Sequence, residues 1–316
     1  MVTDDGLPSL IADVKQGRAR AVGRLISLVE NPGAELPTIM RELAPSTGRA
    51  QVIGLTGPPG VGKSTTIAAL VAALRDRGER VGVLAVDPSS PFSGGALLGD
   101  RVRMQQHALD GEVFIRSMAT RGHLGGLAAA TAQALRVFDA ADCETVVVET
   151  VGVGQSEVEV AGVADCAVVM LAPGAGDGIQ AAKAGILEIG DVFVVNKSDR
   201  DGAHAVVRDL RTMIALDPRT NGAWRPPIVS IVATIGEGIP DLLAALDRFR
   251  ADAEATGGWS ARRLARARRE IESLALARLR RELTLDGGAE LDGLAVAVRD
   301  GELDPFTAAD RLLASL

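Results

Sequence analysis

The chain has 316 residues, 47% of them hydrophobic, 24% charged and only 3% aromatic, and a net charge of −7. That length suits one large domain with appendages or two modest ones, and the composition is that of a folded α/β protein, not a disordered chain. The acidic balance argues against a duplex nucleic-acid binder, and no apolar run approaches the roughly 18 residues that a membrane span needs.

The opening Met1-Val-Thr-Asp-Asp-Gly is acidic and lacks the basic and apolar stretches of a targeting peptide, so the expected location is the cytoplasm. Residues 8–30 place Leu10, Ile11, Val14, Val22, Leu25, Ile26 and Val29 at helical spacing. Asn31-Pro-Gly breaks that pattern, and a shorter helix is predicted over Leu36 to Leu43. These helices define an N-terminal extension, residues 1–48.

From about residue 51 short β-rich runs alternate with helical stretches. The runs are Gln51–Thr56, Val81–Val86, Val113–Ser117, Thr145–Thr150, Cys166–Ala172, Val192–Asn196 and Ile228–Ala233. Strands apolar throughout, with helices between them, predict a doubly wound, mostly parallel sheet covered on both faces over residues 49–256. Ligands of such sheets sit at the carboxyl ends of the strands. Cys143 and Cys166 each lie beside a predicted strand and read as reduced, buried thiols. After Gly257-Gly258 the composition shifts: residues 259–283 hold eight Arg against three Glu, with leucines interspersed. This reads as a solvated amphipathic helix opening a C-terminal helical region, residues 257–316, with a further helical pair through Leu294 and Leu312.

The phosphate-binding end is written in Gly57, Pro58, Pro59, Gly60, Val61, Gly62, Lys63, Ser64 and Thr65, a G-x-x-x-x-G-K-S run between a predicted strand and a predicted helix. Glycines let backbone N–H groups wrap phosphates, and the helix N-terminus adds its dipole. Lys63 is the expected cation for the β- and γ-phosphates, and the Ser64 hydroxyl an expected Mg²⁺ ligand. Asp87, Asp100 and Glu149 are the carboxylates placed to complete a metal site, one or two directly and the rest through water. Gly152, three residues past Glu149, can offer its N–H to the γ-phosphate and so tie a loop to the nucleotide state.

The base-binding end is Asn196-Lys197-Ser198-Asp199, at the end of an apolar strand. A carboxylate at Asp199 accepts from guanine N1–H and the exocyclic amine, neither of which adenine presents. Asn196 is placed for the N7/O6 edge, the Lys197 stem for the base plane, and a backbone N–H near Ala233 for O6. The expected ligands are therefore GTP or GDP with Mg²⁺, and the expected activity is GTP hydrolysis. The chain has only four lysines among 34 basic residues: Lys15, Lys63, Lys183 and Lys197. Where Lys and Arg are interchangeable it uses Arg, so a retained Lys marks a place where a compact ammonium matters.

With the P-loop and its Pro-Pro, Val86-Asp-Pro-Ser-Ser, Gly94-Gly-Ala-Leu-Leu-Gly-Asp-Arg-Val-Arg-Met, Glu149-Thr-Val-Gly-Val-Gly-Gln-Ser-Glu and Asn196-Lys-Ser-Asp in hand, the chain resembles the methylmalonyl-CoA mutase-associated GTPases. The segment Pro173-Gly-Ala-Gly-Asp177-Gly-Ile-Gln180-Ala-Ala-Lys183 matches a third loop peculiar to that family. The resemblance runs from about residue 10 to 285. It implies a homodimer joined through a C-terminal arm, acting as chaperone to an adenosylcobalamin-dependent acyl-CoA mutase that stimulates hydrolysis. Lys183 is then a candidate catalytic cation beside Lys63, Asp100 and Glu149. No segment resembles a cobalamin site, so cobalamin is expected on the partner. No nucleic acid and no membrane is expected as a partner. Gln155 invites comparison with a water-orienting glutamine, but its spacing from Gly152 differs. The rival readings are a nickel-type metallochaperone, against which His107, His123 and His204 stand isolated, a small-molecule kinase, and a translation or targeting GTPase.

Overall fold

The computed structural model describes residues 6–31, 33–87, 107, 109–119, 128–150, 156–174, 186–215, 224–285 and 288–314. Two compact units divide the chain, Met1–Arg263 and Leu264–Leu316.

The first unit is built on strands β1 (Gln51–Thr56), β2 (Val81–Asp87), β3 (Val113–Ala119), β4 (Thr145–Thr150), β5 (Cys166–Leu171), β6 (Val192–Asn196) and β7 (Ile228–Ile231). Their order is β3-β2-β4-β1-β5-β6-β7, and every neighbouring pair is parallel, so the mostly parallel sheet of the sequence reading is parallel throughout. Its helices are α1 (Leu7–Lys15), α2 (Ala19–Glu30), α3 (Leu36–Leu43), α4 (Lys63–Asp76), α5 (Ala128–Ala140), α6 (Ser156–Val163), α7 (Ile186–Ile189), α8 (Ala203–Ala215) and α9 (Ile239–Ala255). The first turns of α10 (Gly258–Leu285) complete it.

Period-two alternation along the strands sorts the side chains into cores on the two faces. Val52, Leu84, Val146 and Val148 pack with α1, α2, α3, α5 and α6. Ile53, Leu55, Val83 and Val147 face the other way and pack with α4 and α9. A smaller core of Val169, Leu171, Phe193 and Val195 lies under α8. Helices cover both faces, and the strands are largely apolar, with many of their polar residues at the strand ends. Cys143 and Cys166 are free, buried thiols, and burial pushes both thiol pKa values up.

The N-terminal extension is part of the first unit and packs on α5: Leu25, Ile26, Ile39 and Leu43 are fully buried. The helical spacing over residues 8–30 resolves into two helices instead of one continuous run. Gly17, at φ +70°, donates its N–H to Val14 O at 2.8 Å while Arg18 donates to Asp13 O at 3.1 Å. That paired closure ends α1 in a left-handed residue that only glycine adopts without strain. The linker into β1 is held by Asp139 of α5, whose carboxylate accepts from the N–H groups of Gly48, Arg49 and Ala50.

In the second unit α11 (Gly288–Arg299) and α12 (Pro305–Ala314) lie against each other, burying Ala308 and Leu312. Leu264, Ile271, Leu274, Leu276, Leu291, Val296, Phe306 and Leu313 are exposed. Among the described residues no helix is long and apolar enough to cross a membrane.

Candidate functional site

β1 ends at Thr56 and α4 begins at Lys63, so the Gly57–Gly62 loop sits where a strand hands its chain to a helix N-terminus. Three glycines set its shape, with φ of +143° at Gly57, +78° at Gly60 and +95° at Gly62. A Cβ on Gly57 would run into the carbonyl oxygen of Met170 on β5, and one on Gly62 into the side-chain amide of Asn196. At Gly57 and Gly62 the loop is therefore pressed against two neighbouring strands with no room for a side chain, while Gly60 faces open space.

Lys63 is buried at 8% exposure, and its ammonium donates to Gly57 O at 2.7 Å and Pro58 O at 3.2 Å. The cation is thus held inside the Gly57–Gly62 loop by that loop's own carbonyls. One residue on, Ser64 Oγ donates to Glu149 Oε1 at 2.9 Å. Glu149 enters from β4, the direct neighbour of β1, with Leu55 and Glu149 in register. Both side chains are buried, at 5% and 3% exposure. A hydroxyl and a carboxylate oxygen converging at the mouth of a phosphate loop form the hard-oxygen donor pair that Mg²⁺ takes, so the residues present fit that ion.

The other wall comes from β6 and β7. Asn196 Nδ2 donates to Val61 O at 2.8 Å, while its Oδ1 accepts from Lys197 N at 2.8 Å and Ala233 N at 3.1 Å. Asn196 and Ala233 are the residues expected at the purine edge. In this structure those polar atoms join the phosphate loop, the β6 end and the turn after β7 into one frame. Lys197 adopts φ +58° and stretches its ammonium to Gly60 O at 2.7 Å, laying its stem along the open side of the loop. Ser198 N donates to Ile231 O at 3.1 Å, fixing the turn that presents Asp199. Asp199 is exposed, and among the described residues no hydrogen bond holds its carboxylate. An exposed carboxylate on a braced turn is the arrangement needed to receive a base edge.

Asp87 closes β2 at the same edge of the sheet, though its carboxylate is outside the described side chains. Asp100, Gly152 and Lys183, with Gln155, Asp177 and Gln180, lie outside the described residues. Among those that are described, no cluster of three His, Cys, Asp or Glu side chains could hold a transition metal, and His107 instead bonds Ala68 O at 2.9 Å.

A phosphate loop with an internal lysine, a serine–glutamate pair beside it and an N-K-x-D turn, all at the carboxyl edge of a parallel sheet, define a P-loop GTPase, a hydrolase that binds guanine nucleotide. The sequence profile of the family described as methylmalonyl Co-A mutase-associated GTPase MeaB matches residues 22–286. The chain belongs to that family. A relative in Pyrococcus abyssi named as a GTPase is 45% identical over 311 residues, spanning 97% of this chain and 96% of its own. The mitochondrial methylmalonic aciduria type A homolog of Mus musculus is 40% identical over 214 residues, 67% of this chain and 52% of that protein. The crystal structure of an LAO/AO transport system kinase superposes with a TM-score of 0.74 at 25% identity, covering 99% of this chain and 98% of that one.

Two struts of the site escape sequence reasoning: Asn196 to Val61, and Lys197 to Gly60. They join residues 135 and 137 positions apart. The N-K-x-D motif marks the residues but not these bonds.

Proposed function

We propose that this GTPase binds GTP as its magnesium complex and assists an adenosylcobalamin-dependent acyl-CoA mutase, methylmalonyl-CoA mutase first among candidates, in delivery or protection of its cofactor. The family description, which names the mutase, supports it as client, and the mouse relative's name points to methylmalonate metabolism. The reading further takes the protein as a cytoplasmic homodimer joined through residues 257–316, with neither nucleic acid nor membrane as partner.

The observation that carries the chemistry is the Ser64–Glu149 pair, two buried oxygens at 2.9 Å beside a lysine-bearing phosphate loop. In this reading Ser64 and Glu149, with Asp87 and Asp100, hold Mg²⁺ directly or through water. The ion supplies neutralisation of phosphate charge. The Gly57–Thr65 backbone amides bind the phosphates, and Lys63 turns from the loop carbonyls toward the oxygens that gain charge as the γ-phosphoryl leaves. Asp199 accepts from guanine N1–H and N2, Lys197 covers the base, and Gly152 donates to the γ-phosphate. Catalysis rests on Lys63, Asp100 and Glu149 within the chain, with Lys183 recruited when the partner docks. Titration of Glu149→Ala and Ser64→Ala for turnover against Mg²⁺ concentration tests the metal site. The expected outcome is a large loss, partly recovered at high Mg²⁺ in Glu149→Ala; wild-type turnover at low Mg²⁺ in both would remove the assignment.

A further inference from the structure

At the amino-terminal rim of the sheet, away from the phosphate loop, two buried carboxylates bind strand ends. Asp165, 1% exposed, accepts from Val52 N at 2.9 Å and returns its own N–H to Val52 O at 2.8 Å. Asp191, 4% exposed, does the same with Ala167, at 2.9 Å in both directions. Consecutive arginines in the first turns of α10 grip both. Arg262 reaches Asp191 with two bonds of 2.7 Å. Arg263 reaches Asp165 at 3.1 and 3.0 Å and also donates to Ala50 O at 2.7 Å. The Arg262 guanidinium lies 5.0 Å from the Phe249 ring centre and that of Arg263 4.9 Å from Trp259. Trp224 meets Phe249 edge-on at 5.3 Å and donates its indole N–H to Asp191 O at 2.8 Å. Two forked pairs backed by aromatic rings fix direction as well as distance, which a lysine cannot do.

The position of the two carboxylates along the chain gives this cluster its meaning. Asp165 closely follows the end of α6, and α6 follows the segment that begins at Glu149 and contains Gly152. Asp191 closely follows the end of α7, and α7 follows the segment that contains Asp177 and Lys183. Each of the two segments assigned above to the γ-phosphate and to the partner therefore leads through one helix into one carboxylate, and neighbouring residues of a single helix hold both. Nucleotide chemistry does not require this, since five residues of extended β1, about 16 Å, separate Val52 from Gly57.

We propose that Arg262 and Arg263 are positioning residues that read the nucleotide state, seating the first turns of α10 according to where α6 and α7 end. A buried carboxylate cannot cheaply release its guanidinium, so a shift at either helix end is carried to α10 and not absorbed in the rim. The proposal rests on the reading of Gly152 and Lys183 given above.

Both tryptophans of the chain lie in this cluster, so intrinsic fluorescence of the full-length protein reports on it directly. Emission is compared with GDP and with a non-hydrolysable GTP analogue, both with Mg²⁺, in wild type, Arg262→Lys and Arg263→Lys. Wild type should differ between the two nucleotides. The lysine variants should bind both nucleotides within about twofold of wild type and yet lose more than half of that difference. Asp191→Asn, approached from the other side of the pair, should give the same loss and guards against a variant that fails to fold. Identical wild-type emission in the two states would overturn the proposal. So would variants that melt earlier but keep the full difference, because the arginines would then be a static brace. Failure of wild type to bind guanine nucleotide, read in the same titration, would instead strike the site assignment.

Discussion

Asp199 illustrates how one exposed group can decide selectivity. In the proposed base site its carboxylate would accept two donors from guanine, and the turn beneath it is pinned by Ser198 N to Ile231 O. Asp199→Asn should weaken GTP binding at least tenfold, about 1.4 kcal/mol, and improve binding of xanthosine triphosphate, whose C2 carbonyl an amide can donate to. Competition titrations with the two nucleotides check this, and an unchanged preference would remove Asp199 from the base site. Lys63→Ala should abolish most turnover, because the ammonium now held by Gly57 O and Pro58 O is the buried cation of the phosphate loop. Gly62→Ala should act differently. The added methyl meets Asn196 at a backbone φ of +95°, so it should disturb base and phosphate ends together and weaken GDP and GTP alike. Nucleotide titrations that find affinity unchanged in Gly62→Ala would show that the Asn196 frame does not hold the site.

At the level of elements, most of the sheet is legible in the sequence because its strands are buried on both faces and read as unbroken apolar runs. The phosphate loop and the N-K-x-D turn are legible too, since their chemistry lies in consecutive residues. The struts that hold those elements together are not. Asp139 reads as an ordinary helical acid, yet three linker N–H groups end on it from 89 to 91 positions away. Asp165 and Asp191 are equally anonymous, though each binds a strand end and an arginine. The break at Gly17 is hidden for another reason: the apolar spacing continues across it, and the left-handed Gly17 with the extended Arg18 separates α1 from α2. Asp139→Ala would leave those N–H groups without their acceptor, that of Ala50 at a buried position, and should lower stability by about 1–3 kcal/mol while nucleotide affinity holds. A urea midpoint indistinguishable from wild type would show that water replaces the carboxylate there.

The whole molecule places the candidate guanine-nucleotide site at the carboxyl edge of a parallel sheet and the root of a long helix, α10, at the opposite rim. The exposed Leu264, Ile271 and Leu274 along that helix, with Phe306 of α12, are apolar surface that fits the proposed homodimer. The reading of the protein as a partner-controlled switch predicts slow hydrolysis in isolation, because the loop from Gly174 to Lys183 is assigned to the docked state. Lys183→Ala should therefore lower the partner-stimulated rate far more than the intrinsic one, in a chain that otherwise spends lysine sparingly. Cations supplied to a phosphoryl transition state raise rates by factors of about 10³–10⁵ in other GTPases. The direct test is single-turnover GTP hydrolysis by the full-length protein with and without a cobalamin-dependent acyl-CoA mutase. A slow intrinsic rate should rise at least about tenfold when the mutase is added, a gain of about 1.4 kcal/mol in transition-state stabilisation. A rate that no such mutase changes would contradict the reading of a partner-controlled switch.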